Sequence, residues 1–268
     1  MCTGVILETF LGGIVEIVLF MVLLARDHND NLIPVIRAAI LGSILANLLL
    51  CLGFCFFVGG MNRDEQEFDE VISEVGSNLM LVAGFGLLIP SAFFNSLRGE
   101  TEVINATDLG KKVLEVSRID AVVLFIAFFF YLWFQARSHH DIYHSILEAD
   151  EHRDEDRHKD LRKDKLTLVE CIVAILLALT LVSMIAEFLV QEIEPIILNS
   201  HVSDSFMGLI LVPLVEKFAE HLTAIDEAHD NQINFALAHV LGATIQTALF
   251  NAPLVVIVGW GLHKHMVR

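Results

Sequence analysis

The chain has 268 residues, 55% of them hydrophobic and 19% charged, with 19 phenylalanines and a net charge of −17. A soluble domain carries about 25% charged residues; a mean hydropathy of +0.63 with repeated long apolar runs excludes one large soluble core and indicates an all-α polytopic membrane protein. The acidic balance argues against nucleic acid, which calls for a basic patch, and the lack of strand alternation argues against a barrel.

Seven spans are predicted, near 5–25, 33–60, 76–97, 113–136, 166–190, 205–228 and 233–262. Each is long enough to cross a hydrocarbon core of about 30 Å. The N-terminus has no basic n-region and contains Glu8 and Glu16, so it does not read as a cleaved signal peptide. The first span, TFLGGIVEIVLFMVLL, holds Glu16 alone among apolar residues, with Thr9, Gly12 and Gly13 on the same side. Such glycines let another helix approach closely. The second span adds Ser43 and Asn47, one turn apart. Its Cys51 and Cys55 share one helix, a spacing that disfavours a bridge, and read as packing residues.

Negative charge collects in the connections, above all MNRDEQEFDE and HHDIYHSILEADEHRDEDRHKD. The linker 138–165 also holds Arg153, Arg157, Lys159, Arg162, Lys163 and Lys165 and reads as a mixed-charge helix. The positive-inside rule places it in the cytosol, by a modest margin over Arg98, Lys111, Lys112 and Arg118. His140, His144, Glu148 and His152 recur at four-residue steps; a solvated face is preferred over a weak soft-metal site. Asn105-Ala106-Thr107 is a glycosylation triplet on the opposite side.

The fifth span carries Glu187 near its end, readable as a site carboxylate or as an interfacial anchor. The sixth is the most informative: LILVPLVEKFAEHLTAIDEAHDN sets Glu216, Lys217, Glu220 and His221 inside an apolar run. An ionisable group at bilayer depth costs roughly 2.5–3.5 kcal/mol on insertion scales, which makes it a functional candidate by default. Helical spacing aligns Glu216, Glu220, Thr223 and Glu227, and Pro213 frees a backbone carbonyl one turn earlier. The competing reading is that Glu216 and Glu220 pair with Lys217 and His221 to hold helices together. The seventh span offers Thr244, Gln246, Thr247 and Asn251.

An internal repeat organises these features. AAILGSILANLLLCLGFCFFVGG aligns with AHVLGATIQTALFNAPLVVIVGW at a constant offset, matching Ala38 with Ala238, Gly42 with Gly242, Leu49 with Leu249 and Gly59 with Gly259. The preceding helices match with Glu16 opposite Glu220. The unit is a helix pair, and five spans lie between the starts of the two copies. An odd number inverts the second copy, the architecture of many secondary transporters with an ion site at the repeat interface; chance likeness between Leu/Gly-rich helices is the alternative. No HExxH, phosphate loop or serine–histidine–acid pattern supports an enzyme.

LGSILANLLLCLGFCFFVGG, AEFLV, PLVEKFAEH and LGATIQTALF resemble the cation/proton exchangers of the calcium/cation antiporter superfamily, in particular the fungal vacuolar branch. The likeness runs from about Gly12 to Gly261 and includes YLWFQARSHHDIY. It implies inverted five-helix units that exchange a cytosolic cation for organellar protons in a vacuolar or other endomembrane. Enzyme activity and a resident cofactor are not expected. The implied partners are a metal cation (calcium, or else sodium or potassium), protons and the lipid bilayer, with a homo-oligomer left open.

Carried over from the family's Gly-Asn-x-x-Glu motifs, Glu16 and Glu220 are the metal- and proton-binding glutamates, and His221 follows the second. The family's Gly-Ser pair falls on Gly42 and Ser43, its second-copy Gln on Gln246, and its preceding acidic residue on Glu187. Glu216 adds a carboxylate; Ser43, Asn47, Thr244 and Gln246 are expected to complete the shell, with Lys217 and His221 modulating it. The motif Asn is Gly13 in the first copy, and the motif Gly and Asn are Glu216 and Lys217 in the second. Losing amide oxygens and gaining an ammonium is expected to weaken a divalent site, which keeps sodium or potassium close behind calcium.

The resemblance also implies ten helices where seven spans are found. The chain reads as a first repeat over 1–137 lacking its leading helix, an acidic cytosolic linker over 138–165, and a second repeat over 166–268 lacking its last two helices. A non-transporting remnant or modulatory subunit is therefore the reading from a different class.

Overall fold

The computed structural model describes residues 2–27, 32–61, 63–98, 106–154, 157–160, 162, 166–200 and 202–264. Asn105, Lys163 and Lys165 lie outside them, as do the side chains of Thr9, Thr107 and Lys159. The described residues form helices and no strand. In chain order these are α1 (Cys2–Arg26), α2 (Ile33–Gly60), α3 (Glu70–Arg98), α4 (Ala106–Trp133), α5 (His140–Arg153), α6 (Leu168–Ser200), α7 (204–216), α8 (Phe218–His229) and α9 (Ile233–Gly261). A single turn at Arg157–Asp160 follows α5.

Each predicted span falls on one of these helices, that over 113–136 running on from α4 into a π-helical turn at Phe134–Ser138 and the sixth being divided into α7 and α8. Among the described residues, four helices are long and apolar enough to cross a membrane on those two criteria alone: Ile33–Gly60, Glu70–Ser96, Leu168–Ile193 and Ile233–Gly261. α4 carries Lys111, Lys112, Glu115, Arg118 and Asp120 in its first half, and the sixth span is interrupted at Lys217.

The burial pattern suits lipid as solvent. The apolar window of α9 is 78% buried and that of α6 is 0% buried, so α9 is the central helix and α6 a peripheral one. Leu176, Leu181, Ile185 and Phe188 of α6 point outward, as do Phe56, Phe57 and Leu49 of α2. In water, exposed apolar area on this scale marks an interaction surface; on a spanning helix it is the lipid face.

Three apolar clusters set the helix positions. Phe20, Leu23, Leu24, Val35, Ile36 and Val255 join α1, α2 and α9. Phe250 of α9 stacks on Phe125 with ring centroids 5.1 Å apart and also meets Phe128 at 5.0 Å, tying α4 to the centre. Where α2 crosses α7, a Cβ on Gly42 would lie 2.3 Å from the Leu209 carbonyl oxygen, and one on Gly208 would lie 2.5 Å from that of Val35. Both helices need glycine at this crossing.

The third cluster includes the linker helix. Tyr143 and Leu147 of α5 pack with Cys51, Cys55, Ala228, Ile233 and Leu237. Asp150 is fully enclosed and accepts hydrogen bonds from Asn234 N (2.7 Å), Asn234 Nδ2 (2.8 Å) and Phe235 N (3.2 Å). It thereby satisfies amides left open at the start of α9. Asn234 Oδ1 in turn accepts from Asp69 N at 2.7 Å, and Gln66 Nε2 donates to Ala228 O at 2.9 Å. The expected solvated helix is thus solvated on one side only. His144 and Glu148 lie 3.6 Å apart on the exposed side, and no metal-ligating cluster exists among the described residues.

Candidate functional site

The geometry begins at the interruption between α7 and α8. α7 contains a π-helical turn at Met207–Leu211, followed by Val212–Glu216 with Pro213 in its first turn, where a missing N–H costs little. The carbonyl four residues before Pro213, that of Leu209, abuts Gly42, so it faces protein. Lys217 then adopts φ −86° and ψ 0°, closing α7 and opening α8. This bridge-region backbone breaks the helical register. On a continuous helix adjacent residues point apart; across the break, Glu216 and Lys217 both bear on the same group of charges.

Lys217 is 1% exposed and Glu16 is 0% exposed. The Lys217 ammonium lies 3.0 Å from Glu220 Oε2 and 3.3 Å from Glu16 Oε2. A carboxylate from α1 and one from α8 therefore converge on a single ammonium. Glu16 Oε2 also accepts from Thr247 Oγ1 at 2.6 Å and Asn251 Nδ2 at 2.7 Å. Hydrogen bonds to a charged group contribute about 1.5–3 kcal/mol each, and a buried ion pair needs such partners to offset its desolvation. Glu16 Oε1, both carboxylate oxygens of Glu216, Ser43 Oγ, Asn47 Nδ2 and Asn251 Oδ1 are enclosed without a hydrogen-bond partner. A partnerless enclosed carboxylate is completed by a proton or a cation.

The glycines of α1 make the convergence possible. A Cβ on Gly12 would lie 2.7 Å from Glu220 Oε1, and one on Gly13 would lie 2.1 Å from Gln246 Nε2. Gln246 Nε2 reaches the Phe10 carbonyl at 3.4 Å. The residue that takes the place of the motif Asn in the first copy is thus the one against which Gln246 packs.

Of the expected site residues, Glu16, Glu216, Lys217 and Glu220 come together. Ser43 is wholly buried with its hydroxyl unpaired. His221 Nε2 pairs with Asn47 Oδ1 at 2.9 Å. Thr244 is buried, but its hydroxyl donates back to Val240 O at 2.6 Å. Glu187 is placed elsewhere: it ion-pairs with Arg26 and accepts from Gln191 at 3.2 Å, with its side chain 38% exposed. Thr223 is exposed and back-bonds to Ala219 O, while Glu227, two turns along α8 from Glu220, faces His239 at 3.6 Å; of the expected stripe only Glu216 and Glu220 bear on the site.

Thr247 and Asn251, noted in the seventh span beside Thr244 and Gln246 but left out of the expected shell, are the residues that hold Glu16. They flank a π-helical turn, Thr247–Asn251, and α2 has its own at Ala46–Cys51. The repeat offset of 200 residues puts Asn47 on Thr247 and Cys51 on Asn251. Asn47 serves His221 of the second pair, and Thr247 serves Glu16 of the first. The two helix pairs exchange polar contacts at equivalent, widened turns. Such turns concentrate at functional sites.

The sequence profile described as "Sodium/calcium exchanger protein" matches residues 1–137 and 171–268. The chain belongs to the sodium/calcium exchanger family. That is a family of exchangers, not of enzymes. Similar members include the vacuolar calcium ion transporter of Schizosaccharomyces pombe, 32% identical over 257 residues, covering 96% of this chain and 58% of that protein. Vacuolar cation/proton exchanger 2 of Arabidopsis thaliana is 30% identical over 265 residues, covering 98% and 57%. The Ca(2+)/H(+) antiporter of Aphanothece halophytica is 30% identical over 271 residues, covering 98% and 68%. The solved structure of native YfkE superposes with a TM-score of 0.72 at 25% identity, over 96% of this chain and 67% of that one. The chain spans somewhat over half the length of the fungal and plant exchangers it matches.

Proposed function

We propose that this chain is the core of a cation/proton antiporter of a vacuolar or other endomembrane, exchanging cytosolic calcium for organellar protons through Glu16 and Glu220. The observation that carries the reading is the meeting of these two carboxylates, from the two inverted helix pairs, at the Lys217 ammonium. The names of similar exchangers from fungal, plant and cyanobacterial sources support calcium and protons as the exchanged ions.

The chemistry is one of mutual exclusion. Two ionised carboxylates offer a divalent cation the charge and hard oxygens it prefers, and two protons neutralise the same groups. One calcium ion entering releases two protons; two protons entering release one calcium ion. Buried charge is costly unless compensated, so the site is emptied of one ligand only as it takes the other. The acidic linker faces the cytosol in this reading, on the positive-inside argument.

A monovalent reading is favoured by one observation: Lys217 already supplies one positive charge between the two carboxylates. Counting Glu16, Glu220 and Lys217 without Glu216, one negative charge remains, which a sodium or potassium ion matches better than calcium does. Proton-gradient-driven uptake of radioactive calcium, sodium or rubidium into proteoliposomes separates the two. Glu220→Gln is expected to abolish uptake of whichever ion is carried; unchanged flux in that variant removes Glu220 from the mechanism.

A further inference from the structure

The enclosed carboxylate of Glu216 has no role in the mechanism above. Both its oxygens are shielded from solvent and neither has a hydrogen-bond partner. It lies within electrostatic reach of Glu16, Lys217 and Glu220. The Lys217 ammonium, next in sequence, is meanwhile committed to Glu16 and Glu220, the two groups that a cation would need. Fully ionised, three carboxylates and one ammonium carry a net charge of −2, the same as the two glutamates alone. Glu216 and Lys217 thus add no net charge to the site.

We propose that Glu216 is the alternate partner of Lys217: as a divalent cation enters between Glu16 and Glu220, the ammonium leaves them and pairs with the Glu216 carboxylate. The inference rests on the reading of Glu16 and Glu220 as the cation ligands. Glu216, enclosed without a partner at rest, gives up the proton that completes it: its O–H bond breaks, the proton leaves with those the cation displaces, and the tethered ammonium pairs with the carboxylate so formed while giving its place to the incoming ion. The backbone break at Lys217 lets the side chain serve acceptors on both sides without unwinding a regular helix. Glu216 is then a positioning residue and Lys217 a built-in competitor that sets cation affinity. A Cβ on Gly12 would lie 2.7 Å from Glu220 Oε1, so the glycine leaves this carboxylate its room beside α1.

The test is calcium titration by calorimetry of the purified full chain in detergent, in wild type, Glu216→Gln, Lys217→Met and the double variant. Glu216→Gln is expected to weaken calcium binding at least about tenfold, and Lys217→Met to tighten it by a similar factor. In the Lys217→Met background, Glu216→Gln is expected to change affinity by no more than about threefold, a strong coupling between adjacent sites. An equal effect of Glu216→Gln in both backgrounds would overturn the proposal, making Glu216 a direct ligand or a packing residue. Binding of sodium but not calcium by the wild type would also overturn it while leaving Glu16 and Glu220 as cation ligands. Failure of wild type and Lys217→Met to bind either ion would remove that reading, and the proposal with it. Lys217→Gln, which keeps a donor for Glu220, replaces Lys217→Met if the latter does not fold.

Discussion

Replacing Asp150 with alanine tests how the linker helix is held. The carboxylate accepts three hydrogen bonds from Asn234 and Phe235 while fully enclosed. Deleting an N-cap costs about 0.5–2 kcal/mol and leaving buried donors unpaired costs about 1–3 kcal/mol. These overlap, and relief of the buried charge offsets part of them, so the expected loss is about 2–3 kcal/mol. That is roughly a 30- to 150-fold rise in local opening. Hydrogen exchange of the Asn234 and Phe235 amides reads it directly, and limited proteolysis of the linker reads it independently. Unchanged protection of both amides would refute the cap.

A pH dependence follows from the same group. Burial raises Asp150 above the ordinary aspartate value of 3.8, with the bonds from Asn234 and Phe235 and the charge of Arg153 pulling the other way. A carboxyl with a raised value in the docked state holds its proton more tightly there than when released. Docking is therefore strongest below 3.8 and weakens as pH rises through the raised value. Protection of the two amides, corrected for intrinsic exchange, is expected to fall with pH in wild type and to be flat in Asp150→Asn.

Gly12→Ala is expected to push the Glu220 carboxylate off Lys217, since the added methyl would sit 2.7 Å from Glu220 Oε1. The displaced group is the end of a flexible side chain, so the melting temperature is expected to change little while cation binding by calorimetry weakens at least about tenfold, roughly 1.4 kcal/mol; unchanged affinity would show that Glu220 keeps its place. Glu187→Gln is expected to leave cation affinity within about twofold, because a part-exposed pair with Arg26 contributes about 0–1 kcal/mol. A tenfold loss would place Glu187 in the site after all.

The parts of this molecule that were legible in its sequence are those where polarity conflicts with its surroundings. Glu16 stands out as the lone charge in its apolar run and Glu220 as one of a short ionisable cluster in its own, and the repeat of the helix pairs sets the two opposite each other from sequence alone. What stayed hidden depends on direction more than depth. Glu187 has the composition of a site residue, but its helix turns it toward Arg26. Thr247 and Asn251 could not be preferred over Thr244 and Gln246 by counting residues, because a widened turn shifts the register at that point. Equal spacing along α8 did not tell Glu220 from Glu227, which turns to His239 two turns further on. The docking face of the linker does leave a mark in the sequence: Tyr143, Leu147 and Asp150 recur at four- and three-residue steps in an otherwise charged helix.

The paired π-helical turns in α2 and α9 bear on how the protein tolerates change in length. Each turn absorbs a surplus residue, and one residue corresponds to about 100° of rotation on a regular helix. Removing a single amino acid from 46–51 or 247–251 would take up that surplus and restore ordinary winding with the flanking segments still facing as they do, at the cost of the widened turns that present Asn47, Thr247 and Asn251. The same deletion in a regular stretch of either helix would instead swing everything beyond it by that angle, carrying lipid-facing methyls inward and core side chains out to the acyl chains.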